Sequence, residues 1–250
     1  MSLLRAEQVS CSFGSLKAVS GVSLSIAPGE LRALIGANGA GKTTFFNLIS
    51  GFLPPTGGAI IFDGIDITAV PAHRRVGMGI ARTFQITEVF PDLSVRENLR
   101  IPVEVASGMA RHAWLSRGKS AAVMERVDEL LSLGGLADKA ERLAGELSHG
   151  DQRAIEILMA LALKPRLLLL DEPTAGMGDQ ETFDITELIR KLHREHALSI
   201  LLVEHDMRVV FHLADRIMVM AEGVVLADGT PEQIAADERV QSAYLGQGDS

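Results

Sequence analysis

Residues 36–44 read Gly36-Ala37-Asn38-Gly39-Ala40-Gly41-Lys42-Thr43-Thr44, and this glycine-rich stretch decides the fold. It lies between an apolar run at 31–35 and a second one at 45–49. A buried strand, a glycine-rich turn and a helix in this order are the setting of a phosphate-binding loop, because glycines let backbone N–H groups close around an anion. The start of the helix adds a positive partial charge. The stretch therefore predicts a nucleoside triphosphate site, with Lys42 reaching the terminal phosphates and the Thr43 hydroxyl ligating Mg²⁺.

Composition sets the context of this loop. The chain has 250 residues, 47% hydrophobic content and a net charge of −8, so we expect a large buried core and no broad nucleic-acid surface. The single Cys11 excludes an intrachain disulfide framework and fits a reducing compartment. We find neither a signal peptide nor an apolar run near the ~20 residues of a spanning helix. Any work at a membrane is therefore expected of a peripheral subunit.

Strand and helix patterns alternate along the chain. Period-two alternation at 22–26 predicts a half-buried strand, and 59–62, 167–170 and 199–203 read as further strands. Runs 217–219 and 224–226 predict a hairpin across Glu222-Gly223. Strands interleaved with helices imply an α/β fold with a mostly parallel sheet.

Helix signals are strongest in the middle of the chain and near its end. Ser94 with Glu97, and Thr230 with Gln233, have the spacing of capping boxes. Apolar positions recur at helical spacing in two further segments, and Gly134-Gly135 is expected to end the first of them. We leave 108–118 open as a loop or a short helix. The periodic positions are Val123, Val127, Leu130 and Leu131, then Ile185, Leu188, Ile189 and Leu192.

Two acidic residues follow the apolar run 167–170. Asp171 is predicted at the carboxyl end of a central strand, where ligands bind in open α/β sheets. There it can hold the magnesium shell opposite Thr43, and Glu172 can polarise a water for in-line attack on the γ-phosphate. Acidic residues often just end a strand, but the phosphate-binding loop in the same chain favours the catalytic interpretation.

Four further segments make the chain resemble the nucleotide-binding subunits of ATP-binding cassette (ABC) transporters over nearly its full length. Leu147-Ser148-His149-Gly150-Asp151-Gln152-Arg153 resembles the ABC signature. Gln85 in Ala81-Arg82-Thr83-Phe84-Gln85 matches the Q-loop, and His205 matches the switch histidine. Phe13 stands where the family places an aromatic ring against adenine. Each alone has a plainer explanation as a solvated or core residue; their joint order favours the family.

The resemblance implies a phosphate-loop (RecA-like) sheet with an N-terminal antiparallel β subdomain and a helical insert. It implies one domain over 1–250, with the nucleotide-binding core at 1–87 and 154–236, the insert at 88–153 and a tail at 237–250. The implied activity is ATP hydrolysis to ADP with Mg²⁺, coupled to transmembrane transport. The implied catalytic residues are Glu172, His205, Gln85 and Lys42, and the implied Mg²⁺ residues are Thr43, Gln85 and Asp171. The implied ATP contacts are Phe13, Gly36, Asn38, Gly39, Ala40, Gly41, Lys42, Thr43 and Thr44, and from a second subunit Ser148, His149 and Gly150.

Partners also follow from the resemblance. A head-to-tail dimer is implied, in which the Ser148 segment of one subunit caps ATP held by the other subunit's Lys42 loop. The second ATPase subunit is expected to be a different chain, with a homodimer of the isolated chain left open. Integral-membrane permease subunits bind the pair, a periplasmic binding protein acts indirectly, and no nucleic acid is involved. The expected location is the cytoplasmic face of the inner membrane.

Three positions depart from the family pattern. His149 and Asp151 replace the third and fifth residues of the signature. We expect Asp151 to point away from bound triphosphate, because a carboxylate facing it is repelled. Gly178 stands where an aspartate usually crosses the dimer, and Asp179 is placed to cap the following helix. The family's cross-dimer aspartate thus has no counterpart at position 178.

Finer features resemble the ATPases of branched-chain amino-acid importers, the LivG type. They are the segments at 81–85 and 89–98, the Gly-Asp-Gln-Arg form of the signature and the ending Ala243-Tyr244-Leu245-Gly246. Relatives with this pattern also serve urea, amides, polar amino acids or aromatic acids. A soluble ABC ATPase acting on nucleic acid, ribosomes or cofactor assembly is the alternative, although one cassette and net acidity favour the importer. A small-molecule kinase does not account for 147–153.

Overall fold

The computed structural model describes residues 2–83, 89–108 and 117–245, which form two sheets flanked by helices. The strands are β1 Leu4–Phe13, β2 Leu16–Ile26, β3 Leu31–Gly36, β4 Gly57–Phe62, β5 Ile65–Asp66, β6 Ile80–Arg82, β7 Leu167–Asp171, β8 Ser199–Val203, β9 Arg216–Ala221 and β10 Val224–Gly229. The helices are α1 Lys42–Ser50, α2 Ala72–Gly77, α3 Val95–Ala106, α4 Arg117–Leu133, α5 His149–Ala162, α6 Asp179–His196, α7 Met207–Leu213, α8 Pro231–Ala235 and α9 Glu238–Leu245.

The strand order places the functional loops side by side. The larger sheet runs β10-β9-β3-β8-β7-β6, with all neighbours parallel except the β9–β10 hairpin. The smaller sheet, β2-β1-β4-β5, is antiparallel. Because β3, β8 and β7 are adjacent and parallel, the segments that follow them leave the sheet at one edge. This confirms the expected phosphate-loop α/β fold with an antiparallel β subdomain.

Both faces of the larger sheet are covered, which explains its uninterrupted apolar strands. In β7, Leu168 and Leu170 belong to the core shared with α3, α4, α5 and α6. Leu167 and Leu169 point to the other core, shared with α1 and the antiparallel sheet. The two faces alternate along the strand, as period-two geometry requires. Both helical stripes expected from the sequence are buried in the first of these cores.

Local signals set the helix ends where expected, with one correction. Both capping boxes form, at Ser94 for α3 and at Thr230 for α8, and α4 ends at Leu133, just before the glycine pair. The expectation that Asp179 caps α6 is wrong. Gly178 is the N-cap and makes no side-chain cap hydrogen bond, so Asp179 is already the first helical residue. It adds negative charge to the first turn instead.

The helical insert joins the core through α5. This helix runs from His149 to Ala162, so the expected boundary between insert and core, at 153/154, falls inside it. The domain limits therefore stay a prediction. Residues 109–116, within the segment left open above, lie outside the described residues. Among the helices that the structure describes, none is both long and apolar enough to cross a membrane.

Candidate active site

The phosphate-binding loop links β3 to α1. Gly41 is the N-cap of α1 with φ 95°, a left-handed conformation that favours glycine. A Cβ there would come within 2.4 Å of the Ala18 carbonyl oxygen. No side chain of the described residues caps this helix start, so none competes with an anion for its N–H groups. The loop therefore has the geometry to bind a phosphate through its backbone.

Lys42 lies folded across this loop. Its Nζ donates to the carbonyl oxygens of Gly36, at 2.7 Å, and Ala37, at 3.0 Å, and the residue is 5% exposed. Burial lowers the pKa of Lys42, while the carboxylates of Glu172 and Asp171 act against that shift. A charged amine thus sits within electrostatic range of both acidic residues at the end of β7.

Asp171 ends β7 with one carboxylate oxygen engaged and one not. Oδ2 accepts from Arg82 Nη2 at 3.0 Å, while Oδ1 is buried and finds no hydrogen-bond partner among the described residues. Burial raises the pKa of Asp171, with Arg82 acting in the opposite direction. An orphaned buried carboxylate oxygen is costly unless a cation or water fills it. Asp171 beside a phosphate loop therefore fits a Mg²⁺ site.

The possible Mg²⁺ ligands near Asp171 would be shared between the protein and the nucleotide. Mg²⁺ usually takes one or two carboxylates, substrate phosphates and waters rather than a complete protein cage. Thr43 is exposed at the start of α1, where its hydroxyl can serve as a ligand. Within the part of the chain that the structure describes, no group of three or more His, Cys, Asp or Glu side chains forms a metal cage.

Glu172 and His205 meet in a direct hydrogen bond. Glu172 Oε1 lies 2.8 Å from His205 Nε2, although the two residues are 33 positions apart. Both remain partly exposed, with side-chain accessibilities of 22% and 43%. Glu172 has φ 46°, a conformation that costs a non-glycine residue energy and is common at functional sites. The pair is open to solvent where an attacking water can reach it.

Sequence reasoning missed two residues that fix the backbone of this site. Arg153, one turn into α5, donates to the carbonyl oxygens of Asp171 at 2.7 Å, Glu172 at 3.2 Å and Pro173 at 3.2 Å. Glu204 is 3% exposed and accepts from the backbone N–H groups of Thr174, at 3.1 Å, and His205, at 2.7 Å. The only sequence hint was their position inside recognised motifs.

The Ser148 segment starts α5 and faces α6. Ser148 is the N-cap and its hydroxyl accepts from the Asp151 N–H at 3.2 Å. Gly150 N–H donates to Glu181 Oε1 at 3.1 Å, and this bond, followed by the Ser148 hydroxyl, lowers the pKa of Glu181. Asp151 is held by Lys139 Nζ at 2.8 Å. The carboxylate of Asp151 is thus paired with Lys139, and its orientation relative to bound triphosphate stays a prediction.

Two further residues were predicted from the sequence as site residues, Phe13 and Gln85. Phe13 is 50% exposed at the end of β1 and pairs in register with Leu16. Leu16 begins the strand that carries Ala18 to the side of Gly41, so the ring belongs to a hairpin next to the loop. Gln85 lies outside the described residues.

Two family models match the chain. The model described as "ABC transporter" matches residues 19–175. The model described as "Branched-chain amino acid ATP-binding cassette transporter" matches residues 224–250. The first match spans the phosphate-binding loop, the Ser148 segment and the acidic pair.

Curated relatives agree with these models over the full length. The chain is 41% identical to the high-affinity branched-chain amino acid transport ATP-binding protein LivG of Escherichia coli K12, with 98% of each chain covered. It is 40% identical to the corresponding protein BraF of Pseudomonas aeruginosa, again with 98% of each covered. A solved ADP conformation of an ATP-binding cassette of an ABC transporter superposes with a TM-score of 0.85 at 29% identity, covering 99% of this chain and 100% of that one.

Proposed function

This chain belongs to the ABC transporter family, as an ATP-hydrolysing subunit of an importer, and we propose that it energises uptake of branched-chain or related amino acids. The observation that carries the proposal is the meeting of Lys42, Asp171, Glu172 and His205 at the edge where β3, β7 and β8 end. The match of residues 224–250 to a branched-chain amino acid transporter model supports the substrate class.

Each residue then has a role in phosphoryl transfer, which depends on positioning and charge stabilisation. The loop from Gly36 to Thr44 binds the phosphates, and Lys42 exchanges its two backbone acceptors for phosphate oxygens. Glu172 orients and polarises the attacking water, and His205 holds the Glu172 carboxylate and faces the γ-phosphate. Thr43 and Asp171 are the described residues that would hold Mg²⁺, which supplies charge neutralisation on the phosphates.

The site is incomplete within one chain under this proposal. Ser148 and Gly150 hydrogen-bond to Glu181 of α6 in the structure, and we assign Ser148, His149 and Gly150 to ATP held by a second ATPase subunit. Donors brought in by another subunit act like other preorganised charge stabilisers, only after assembly. Permease subunits would bind this pair at the membrane surface, and a periplasmic binding protein would deliver substrate to them.

A genetic experiment tests the importer function. Deleting the gene should abolish high-affinity uptake of labelled leucine, and the intact gene should restore it. Lys42→Ala should fail to restore it, because the cation that neutralises the terminal phosphates is lost. A labelled panel of other amino acids, urea and aromatic acids defines the substrate class.

The alternative function predicts a different result. A soluble ABC ATPase acting on nucleic acid, ribosomes or cofactor assembly would co-purify with those assemblies and never with membranes. That result, together with unchanged uptake across the whole panel, would overturn the importer proposal.

A further inference from the structure

Arg82 connects three elements around Asp171. It ends β6, which pairs with β7 so that Arg82 lies opposite Leu169. Its Nη2 donates to Asp171 Oδ2 at 3.0 Å, and its Nη1 donates to Asn47 Oδ1 at 2.5 Å and Ser50 Oγ at 2.9 Å. One guanidinium thus bonds to both the strand that carries Asp171 and the helix that follows the phosphate loop.

The helix positions that Arg82 touches share a face with Thr43. Thr43, Asn47 and Ser50 are at i, i+4 and i+7 of α1, which places them on one side of the helix. Arg82 therefore spans from the Thr43 face of α1 to Asp171. Thr43 and Asp171 are the two described residues assigned to Mg²⁺, and they belong to different elements.

Packing holds the guanidinium in place. Its carbon lies 4.7 Å from the Phe46 ring centroid and 5.1 Å from the Phe52 ring centroid, within range of cation–π contact. The Arg82 side chain is 12% exposed, and burial lowers its pKa. A planar fork with several fixed partners has little freedom to turn, so the carboxylate bound to it is oriented as well.

We propose that Arg82 is a positioning residue for magnesium: it holds Asp171 Oδ2, turns Oδ1 toward the metal and fixes the spacing between Asp171 and Thr43. The inference rests on the proposed function, since it assumes that nucleotide binds at Lys42 with Mg²⁺. The free Oδ1 carries it, because Arg82 occupies one carboxylate oxygen and leaves the other, buried and unpaired within the described residues, for a cation.

A purely electrostatic role for Arg82 predicts the opposite effect. A fixed positive charge next to a ligand repels a second cation, so removing that charge alone would strengthen Mg²⁺ binding. Positioning predicts that removal weakens it. The direction of the change therefore decides between the two roles.

The experiment measures equilibrium binding of a fluorescent ATP analogue to the full chain, with EDTA and across a Mg²⁺ titration, in a Glu172→Gln background to prevent turnover. For Arg82→Met we expect the Mg²⁺ concentration at half-effect to rise about tenfold, the usual scale for losing one hydrogen bond to a charged group. The Mg²⁺ concentration at half-effect should also rise for Arg82→Lys, because an ammonium keeps the charge but lacks the forked donor geometry of a guanidinium. Binding in EDTA should stay within about twofold, because the Lys42 loop is unchanged.

Arg166→Met is the matched control. Arg166 also pairs with an aspartate, Asp63, and also lies over a phenylalanine, Phe62, but it precedes β7 at the end opposite Asp171. Its Mg²⁺ dependence should equal that of the parent. Asn47→Ala removes one of the two α1 acceptors of Arg82, leaves Ser50 and the Arg82–Asp171 pair in place, and should therefore weaken the Mg²⁺ effect less than Arg82→Met does. It decides the question alone if the Arg82 variants do not fold.

Three results would overturn the inference: an unchanged Mg²⁺ dependence, a tighter one, or an equal loss of binding with and without Mg²⁺. A parent protein that binds no ATP in either condition would instead overturn the proposed function. The two failures are therefore distinguishable.

Discussion

At the scale of single residues, the proposed mechanism depends on the hydrogen bond between Glu172 and His205. Their atoms Oε1 and Nε2 are 2.8 Å apart, and the left-handed backbone at Glu172 turns the carboxylate out of the strand direction. Arg153 and Glu204 hold the surrounding backbone from two sides. The arrangement holds the carboxylate proposed as the base in place and keeps it open to water.

Glu172→Gln should therefore stop turnover and preserve ATP binding. Loss of a positioned general base typically lowers a rate by about 10²–10⁴-fold, while the Lys42 loop keeps its own contacts. Steady-state ATPase assays and equilibrium ATP binding measure the two effects. Glu187→Gln is the control, because Glu187 also contacts a histidine, His212, at 3.2 Å on the surface. Unchanged ATPase in Glu172→Gln would remove Glu172 from its assigned role.

At the scale of elements, the C-terminal end of α1 depends on a buried arginine from α2. Arg75 is 1% exposed, and its guanidinium donates to carbonyl oxygens of residues 48, 49, 67, 68 and 70. Burial lowers the pKa of Arg75 to about 10, so it stays charged at neutral pH. A cation at the carbonyl end of a helix is favourable. Arg75 thus stabilises the helix that begins at Lys42.

Arg75→Met should destabilise the fold by about 3 kcal/mol or more, because several buried carbonyl groups lose their donor together. Urea denaturation followed by circular dichroism measures the free energy of unfolding. The neighbouring Arg74→Met, at an exposed position of α2, should change it by less than about 0.5 kcal/mol. Equal effects of the two variants would show that the carbonyl contacts contribute nothing specific.

The sequence predicted the elements that have a local capping motif or enough residues to show a periodic pattern. The capping boxes at Ser94 and Thr230 involve residues three apart, so the chain itself contains the interaction. Helix α2 has six residues and strand β6 has three, too few for a periodic pattern, and neither was predicted. The helix-cap prediction for Asp179 failed because the capping residue was one position earlier.

At the scale of the whole molecule, the Gly150 N–H of the Ser148 segment is already hydrogen-bonded within its own chain. Glu181 on α6 accepts the Gly150 N–H, and its pKa is lowered, so it is ionised at neutral pH. The proposed dimer needs that N–H for the partner's γ-phosphate. An anion already in place repels the phosphate and must move when the subunits close.

Glu181→Gln should accordingly favour ATP-driven association. In a Glu172→Gln background we expect the ATP concentration at half-association to fall roughly three- to tenfold, since a like charge at the docking point is removed. Analytical ultracentrifugation with and without ATP measures it, on the chain alone and with its co-expressed partner. Asp184→Asn, one turn along α6 and bonded to Gln180, carries the same change of charge and should have no effect. The same ATP dependence of association in Glu181→Gln and in Asp184→Asn would contradict the prediction.

The sequence by itself determined the phosphate loop, the two-faced strands and the order of the motifs, because each depends on residues close together in the chain. It also indicated Asp171 and Glu172 through their positions at the end of an apolar run, and His205 through the family resemblance. Only the tertiary structure decided which distant polar groups meet: Arg82 with Asp171, 89 residues apart, and Glu181 with the Gly150 N–H, 31 residues apart. The physical reason is that such contacts depend on strand order and helix packing. Because β6 pairs with β7, Arg82 reaches the carboxylate of Asp171.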